Sequence, residues 1–189
     1  MSQIMPEVNH QPGRLIYVSG GCRSGKSRFA QDFAEQLPGR RAYLATCPVI
    51  DSEMDQRIQA HQQARLDKGW ATIEEPLDPA SALARAREYP VVLIDCLTLW
   101  VNNLLFAADQ QQRELSETEV EEQSLTLIRE CRQGGRTIVL VSNELGMGLV
   151  PADPLSRRYR DLIGRCNQVV ARHADEAYFL VSGLPLQLK

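Results

Sequence analysis

The sequence lacks the features that mark several large classes of protein. Its five cysteines lie singly, with no Cys-x-x-Cys pair, which argues against a disulfide framework or a zinc site and favours reduced thiols. No apolar run approaches the roughly 20 residues that span a bilayer, and residues 1–13 lack the apolar core of a signal peptide. We therefore expect a cytoplasmic protein without a membrane span.

The chain also lacks an excess of basic residues. Its net charge is −3 and its pI is about 5.7, and there is no basic stripe that could neutralise a nucleic-acid backbone. A small-molecule substrate is therefore expected rather than DNA or RNA. With 189 residues, of which 43% are hydrophobic and 24% are charged, the chain suits one globular domain with a sizeable core.

A glycine-rich run at residues 20–27 fits the pattern Gly-x-x-x-x-Gly-Lys-Ser/Thr. It lies between a strand-like stretch, 15–19, and a helix-like stretch that begins at Ser27. Glycines let successive backbone N–H groups point at phosphates, Lys26 can reach the terminal phosphates, and the Ser27 hydroxyl can bind Mg²⁺. The predicted nucleoside triphosphate site consists of Gly20, Gly21, Cys22, Arg23, Ser24, Gly25, Lys26 and Ser27.

Short β-branched or aromatic runs alternate with helix-sized segments. The predicted strands are residues 15–19, 41–46, 91–95, 137–142 and 177–182. Runs that are apolar on both faces are typical of a parallel sheet covered by helices. The sequence therefore predicts a P-loop α/β fold of the RecA-like type, a three-layer sandwich with a mainly parallel central sheet. We expect this nucleotide-binding catalytic domain over residues 14–189, after a disordered tail over 1–13.

The clearest helix pattern covers residues 116–133. Ser116 and Glu119 match a capping box at its start, and Gly134 and Gly135 are expected to end it. The polar stretch 107–114 is predicted to form a loop before this helix.

Asp95 stands at the end of an apolar strand pattern. P-loop enzymes need a carboxylate opposite the serine or threonine of the motif to hold Mg²⁺ or its water shell. Ser27 and Asp95 are therefore the predicted metal-binding residues. A strand-end aspartate is also common as a turn residue or helix cap, and it is the P-loop upstream that favours the metal role.

His61 is the third candidate for chemistry. If Asp51 caps a helix here, Arg57, His61 and Arg65 share one face because they recur every four residues. The two cations suit a phosphate-bearing partner and keep the imidazole neutral, so that it can act as a nucleophile. The same spacing also fits a surface helix in which Glu53 pairs with Arg57 and His61 has no function.

Several long stretches of different composition occur in a fixed order along the chain. They are SGGCRSGKSR at 19–28, YLAT at 43–46, DSEM at 51–54 with RIQAH at 57–61, LTLWVNNLL at 97–105, SNELGMGLVP at 142–151, YRDLIGRCNQ at 159–168 and VSGLP at 181–185. Together they resemble the bifunctional adenosylcobinamide kinase/adenosylcobinamide-phosphate guanylyltransferases of cobalamin biosynthesis, from about residue 14 to the end of the chain.

The resemblance implies a two-step enzyme that uses Mg²⁺. In the first step, ATP or GTP phosphorylates the hydroxyl of the aminopropanol arm of adenosylcobinamide, and the P-loop with Lys26 serves this step. In the second step, GTP guanylylates a histidine with loss of pyrophosphate, and adenosylcobinamide phosphate takes the GMP to give adenosyl-GDP-cobinamide. His61 matches that histidine.

The resemblance also implies a guanine nucleotide site and a homotrimer. The residues implied around the nucleotide are Cys47, Pro48, Val49, Arg65, Glu74 and Asp95. Among them Glu74 is able to read the N1 and N2 donors of guanine. Some relatives carry Glu at the position of Asp95 and His at the position of Ala60.

Two other functions remain open. A P-loop small-molecule kinase without nucleotidyl transfer would need the phosphate site but not His61. A GTP-dependent switch is less well supported, because the guanine-reading motif Asn-Lys-x-Asp is absent and the Asp-x-x-Gly match at 161–164 falls inside a helical pattern. Residues 143–148 could approach phosphate or corrinoid, or could simply form a strand-to-helix turn, and they are not included in the catalytic set.

Overall fold

The computed structural model describes residues 13–47 and 68–189. Its strands are β1 Arg14–Gly20, β2 Arg41–Ala45, β3 Trp70–Glu74, β4 Val91–Asp95, β5 Thr137–Val141, β6 Glu176–Val181 and β7 Leu184–Gln187. Its helices are α1 Lys26–Glu35, α2 Pro79–Arg85, α3 Leu97–Gln110, α4 Glu117–Cys131 and α5 Pro154–His173. In this part of the chain, no helix has the length and apolar character needed to cross a membrane.

The described strands form one sheet in the order β3-β2-β4-β5-β1-β6-β7. All neighbouring strands are parallel except the pair β6 and β7. The prediction of a mainly parallel α/β fold is confirmed. Strand β5 separates β1, which leads into the glycine-rich run, from β4, which ends at Asp95. The carboxyl ends of these three strands share one edge, the edge where parallel α/β sheets bind ligands.

Alternate residues of the central strands enter two different apolar layers. On one face, Leu15, Val92, Ile94, Ile138 and Leu140 pack with residues of α2, α3, α4 and α5. On the other face, Ile16, Val18, Leu93, Val139 and Val141 pack around α1. Burial on both faces explains the uninterrupted apolar runs, and each fully buried Leu, Ile or Val contributes about 1.5–3 kcal/mol.

The start of α4 agrees with the sequence-based prediction, whereas the end of α3 does not. The Ser116 side chain accepts a hydrogen bond from the Glu119 N–H at 3.2 Å, which is the serine half of the predicted capping box, while the Glu119 carboxylate accepts from Arg113 at 2.8 Å. The loop predicted over 107–114 is wrong in its first half, because α3 continues to Gln110. Ala108 is fully buried and prolongs the apolar face of α3, so packing extends the helix into this polar stretch.

Two strands lie outside the predicted set. Strand β3 pairs with β2, and its Trp70 is buried with the indole N–H donating to Glu35 Oε1 at 3.2 Å. Strand β7 pairs with β6 through a tight turn in which Ser182 and Gly183 have positive φ angles. Pro185 is tolerated there because β7 lies at the edge of the described sheet.

The predicted tail lies outside the described residues apart from Gly13. The Gly13 N–H donates to the Arg132 carbonyl at 3.1 Å, and the Gly13 carbonyl accepts from Arg132 Nη1 at 2.6 Å. These contacts fix the start of β1 against the end of α4.

Candidate active site

The glycine-rich run forms the turn between β1 and α1. Gly20 ends β1, and Gly25, with φ 91°, stands directly before the first residue of α1. Within the described chain no side chain caps this helix, so its first N–H groups are available to an anion. The loop therefore has the geometry of a phosphate cradle at a helix N-terminus.

Lys26 is only 9% exposed, and its ammonium donates to the Gly21 carbonyl at 3.1 Å. This hydrogen bond folds the side chain back over its own loop, where the motif expects the terminal phosphates. Cys22, Arg23 and Ser27 are exposed on the loop. Lys26 and Ser27 therefore both lie at the first turn of α1, next to the loop, and their roles in binding phosphate and metal stay predictions.

The turn between β6 and β7 supports the phosphate loop from one side. The Gly183 N–H donates to the Ser24 carbonyl at 2.9 Å. A Cβ at Gly25 would lie 3.3 Å from the Gly183 Cα, so the two backbones are in close contact. The motif alone does not predict this support, although residues 181–185 belong to the stretches that carry the resemblance.

Asp95 lies at the same edge of the sheet as the loop. The pKa of the buried Cys96 thiol is raised to about 12 by burial first and by the Asp95 carboxylate second, while Lys26 acts in the opposite direction. Burial and then Asp95 also raise the pKa of Cys47, which is half-buried. Asp95 and Lys26 therefore both lie within electrostatic range of Cys96, and Asp95 lies within range of Cys47.

Glu74 lies farther along this edge. It pairs with Ala45, and Ala45 pairs with Asp95 on its other side. Neighbouring strands are about 4.8 Å apart, so the Glu74 backbone is about 10 Å from that of Asp95 and about 19 Å from β1. The structure therefore does not bring Glu74 to the phosphate loop, and a role for Glu74 requires a ligand that extends along the sheet edge.

Buried polar side chains join the ends of β2 and β4. Thr46 Oγ1 donates to the Cys96 carbonyl at 2.7 Å and accepts from the Cys96 N–H at 2.8 Å. Asn103 Nδ2 donates to the Thr46 carbonyl at 2.7 Å. These bonds fix the backbone directly after Asp95 to the end of β2. The sequence predicts no role for Thr46 and Asn103. Their only sign in the sequence is that each is a polar residue within an otherwise apolar stretch.

A second buried network fixes the chain after β5. Ser142 Oγ donates to Asn167 Oδ1 at 2.6 Å, and the Asn143 N–H donates to Thr98 Oγ1 at 2.7 Å. Asn167 Nδ2 donates to the Asn143 carbonyl at 2.9 Å. The start of the stretch 143–148 is therefore held rigidly between α3 and α5, next to the phosphate loop.

The oxygens of Ser27 and Asp95 fit Mg²⁺. Asp95 continues the row of Val91 and Leu93, which pack in the layer of α1, the helix whose first turn carries Ser27. Residues 13–47 and 68–189 contain no cluster of three or more His, Cys, Asp or Glu suited to a metal. Mg²⁺ at phosphates needs only one or two protein oxygens besides phosphate and water, so this donor set is sufficient.

Several residues singled out from the sequence lie outside the described part of the chain. They are Pro48, Val49, Asp51, Glu53, Arg57, His61 and Arg65. Their roles stay predictions.

A cradle of this form, at the carboxyl edge of a mainly parallel sheet, defines a P-loop nucleotide-binding protein. Residues 16–188 match the family model described as cobinamide kinase / cobinamide phosphate guanyltransferase. The chain belongs to this family, and the resemblance drawn from the sequence is confirmed.

Curated relatives align with this chain over nearly their full lengths. The chain is 42% identical over 175 residues to the bifunctional adenosylcobalamin biosynthesis protein CobP of Pseudomonas aeruginosa, covering 91% of this chain and 95% of the relative. It is 38% identical to the bifunctional adenosylcobalamin biosynthesis proteins CobU of Salmonella typhimurium, over 183 residues, and of Escherichia coli, over 189. Both alignments cover 93% of this chain and 99% of the relative.

Proposed function

We propose that this protein assembles part of the nucleotide loop of cobalamin in two steps. It phosphorylates adenosylcobinamide with ATP or GTP. It then transfers GMP from GTP, through a guanylyl-histidine, to adenosylcobinamide phosphate, which yields adenosyl-GDP-cobinamide. The observation that carries the proposal is the family match over residues 16–188, which includes both the phosphate loop and His61.

In the first step the loop binds the triphosphate, and Lys26 contacts its terminal phosphates. The substrate hydroxyl oxygen forms a bond to the γ-phosphorus while the bond from that phosphorus to the bridging oxygen breaks, and the nucleoside diphosphate leaves. Ser27 and Asp95 would hold Mg²⁺, which when bound neutralises charge on the phosphate oxygens. The buried setting of Lys26 supports this role, because a charge there is shielded less by water.

In the second step a neutral His61 nitrogen attacks the α-phosphorus of GTP, and pyrophosphate leaves. A phosphate oxygen of adenosylcobinamide phosphate then attacks the same phosphorus and releases the histidine. Arg57 and Arg65 would balance the charge on the α-phosphate. Glu74 would accept hydrogen bonds from guanine, with Cys47, Pro48 and Val49 alongside the nucleotide. The position of Glu74 on the same edge as Asp95 supports a nucleotide that extends along the sheet.

We also propose a cytoplasmic homotrimer. ATP or GTP as substrate, and five cysteines that include no Cys-x-x-Cys pair, suit the cytoplasm. A ring of identical chains needs two different complementary surfaces on each copy. Two exposed apolar patches could supply them. The loop patch consists of Met147, Leu149, Val150 and Leu155, and the hairpin patch consists of Val181, Leu184, Leu186 and Leu188.

The test uses GTP labelled separately at the α- and γ-phosphates, incubated with Mg²⁺ and either the wild-type protein or His61→Ala. We expect acid-labile, base-stable α-label on the wild type and none on His61→Ala, since a phosphoramidate has this stability. Intact mass should show one added GMP. Both proteins should bind nucleotide equally.

The competing function is a P-loop kinase without nucleotidyl transfer. It would be supported if neither protein took up label, nucleotide binding were intact, and added phosphorylated corrinoid received no GMP. Transfer of the γ-label to adenosylcobinamide would then remain as the single activity. Absence of both reactions would contradict the proposed function as a whole.

A further inference from the structure

Asn143 lies between the phosphate loop and Asp95. It follows β5, whose last residue, Val141, pairs with Asp95. One residue beyond Asn143, the Glu144 N–H donates to the Gly20 carbonyl at 3.1 Å. Asn143 is therefore beside the first glycine of the loop on one side and directed toward the end of β4 on the other.

The Asn143 side chain faces the layer that contains α1. The Ser142 and Glu144 N–H groups donate to the Val18 and Gly20 carbonyls, so the extended ladder with β1 continues past the end of β5. Side chains alternate along such a segment. Ser142 points to the α5 face, where it bonds Asn167, so Asn143 points to the opposite face. That face carries α1, and Asp95 belongs to it by the same alternation.

Asn143 is half-buried, and its side-chain amide oxygen is not satisfied. Its Oδ1 is shielded from solvent and has no hydrogen-bond partner among the residues that the structure describes. A buried amide oxygen without a partner destabilises the folded protein. The backbone of the same residue is held on both sides, by Thr98 and Asn167. A rigidly supported but unsatisfied polar group, at the point where substrate phosphates are expected, is suited to contact a ligand.

We infer that Asn143 is a catalytic residue of the phosphoryl-transfer step, an inference that rests on the proposed function. Its Nδ2 donates to an oxygen of the γ-phosphate, and its Oδ1 accepts a hydrogen bond from the attacking hydroxyl of the substrate. As the acceptor oxygen bonds to the γ-phosphorus, the bridging P–O bond breaks, the nucleoside diphosphate leaves with the electron pair, and the hydroxyl proton is released to solvent. The amide thereby aligns the nucleophile and the transferring group.

If Asn143 has this role, it should matter for phosphorylation but not for guanylylation. Guanylylation takes place at the α-phosphorus and uses His61, so it does not need an amide that aligns a hydroxyl with the γ-phosphate. Loss of the Asn143 side chain should therefore slow phosphoryl transfer much more than guanylyl transfer.

The experiment compares Asn143→Ala and Asn143→Asp with the wild-type protein. Asn143→Asp keeps the shape but replaces the donor by a charged acceptor. Gln133→Ala is the matched control, because it removes an exposed carboxamide just after α4, beside the start of β1. For each protein we would measure kcat and KM for ATP with adenosylcobinamide as acceptor, covalent α-label from GTP, and the urea unfolding midpoint.

We expect Asn143→Ala to lower the kcat of phosphorylation about 100-fold, the usual effect of removing one hydrogen-bond donor from a transition state. The KM for ATP should change by less than about threefold. Asn143→Asp should be slower still because its charge repels the phosphate. Guanylylation should fall by less than about tenfold in both variants, and Gln133→Ala should match the wild type.

Several outcomes would overturn the inference. One is a kcat for Asn143→Ala close to that of the wild type, and another is a change in KM alone. A third is an equal loss of phosphorylation and guanylylation together with a lowered unfolding midpoint in both variants, which would show a structural role. If the wild-type protein phosphorylates no adenosylcobinamide, the proposed function fails and the inference fails with it. An active wild type with an equally active Asn143→Ala removes only the inference.

Discussion

At the scale of the residue, one added methyl group at Gly20 would collide with the protein's own backbone. Its Cβ would lie 2.6 Å from Ser24 Oγ and 2.7 Å from the Leu180 carbonyl oxygen. Gly20→Ala should lower the free energy of unfolding by about 1–3 kcal/mol and weaken nucleotide binding, because the loop must move away from β6. Urea unfolding and titration with a fluorescent nucleotide would measure both effects.

The control for this substitution is Gly148→Ala, because apart from its chain neighbours no atom of residues 13–47 and 68–189 lies within 4 Å of the added Cβ. It should leave the free energy of unfolding within about 0.5 kcal/mol of the wild type. If both variants unfold and bind nucleotide like the wild type, the packing of Gly20 against β6 has no energetic importance.

Single residues also differ in whether their roles can be predicted from the sequence. Lys26 and Ser27 belong to a motif with fixed spacing, so their roles are predicted before the fold is known. Asn143 has no such motif. Its importance rests on a buried, unpartnered oxygen beside the loop, which depends on strand pairing and on two side chains from distant helices.

At the scale of the element, Arg136 joins the ends of two helices. It is 2% exposed, and its guanidinium donates to the Leu83 carbonyl at 2.8 Å and to the Glu130 side chain at 3.3 Å. Carbonyls at helix ends lack partners inside their helices, so a cation there satisfies them. Arg136→Met should lower the free energy of unfolding by about 3 kcal/mol, because Glu130 and these carbonyls lose their partner.

Urea unfolding measures this effect, and Arg129→Met serves as its control. Arg129 is exposed on α4 and donates to Thr126 Oγ1 at 2.8 Å. We expect it to change the free energy of unfolding by less than about 0.5 kcal/mol. Equal midpoints for the two variants would show that Arg136 does not stabilise the helix ends.

Asp175 connects the starts of β1 and β6 to the end of α4. Burial alone would raise its pKa, but hydrogen bonds from Arg132 and the Leu15 N–H, with the charges of Arg132 and Lys189, hold the pKa below its ordinary value. A lowered folded-state pKa stabilises the protein above the unfolded-state pKa of about 3.9. This stabilisation is lost as pH falls through the folded-state value.

We therefore expect Asp175→Asn to have a lower Tm than the wild type near neutral pH, with a gap that closes as pH falls below about 4. Thermal unfolding followed by circular dichroism between pH 7 and pH 3 would measure the gap. A gap that does not depend on pH would mean that the carboxylate charge contributes nothing beyond the shape of the side chain.

At the scale of the whole molecule, the proposed trimer depends on two patches that the monomer leaves uncovered. Leu149 is 96% exposed in the loop patch, and Leu186 is 57% exposed in the hairpin patch. Sedimentation velocity should give a mass three times that of the 21.2 kDa chain. Leu186→Glu should shift the protein toward the monomer, because a buried unpaired charge is costly at an interface.

Gln187→Glu is the control for this shift, since it adds the same charge at the next position of β7, on the opposite face of the strand. It should sediment like the wild type. A monomeric wild type would contradict the trimer, and a trimer unaffected by Leu186→Glu would exclude the hairpin patch from the interface.

The sequence by itself determined the type of fold, the phosphate loop and the family. Apolar runs that alternate with helical patterns can satisfy their backbone groups and bury both faces only in a covered parallel sheet. The loop motif likewise needs only local backbone geometry. The sequence missed β3 and β7 because these strands are short and β7 is exposed and contains a proline. Their pairing with β2 and β6 makes them strands, and neither has a strong pattern of its own.

Only the tertiary structure decided which residues meet at the site. Strand order sets β5 between the phosphate loop and Asp95, brings the turn at Gly183 against Ser24, and leaves Glu74 about 19 Å from β1. These relations join residues that are far apart in the chain, and they depend on packing and hydrogen bonds that exist only after the sheet has formed. No local pattern encodes them, which is why Asn143 becomes a candidate only in the folded molecule.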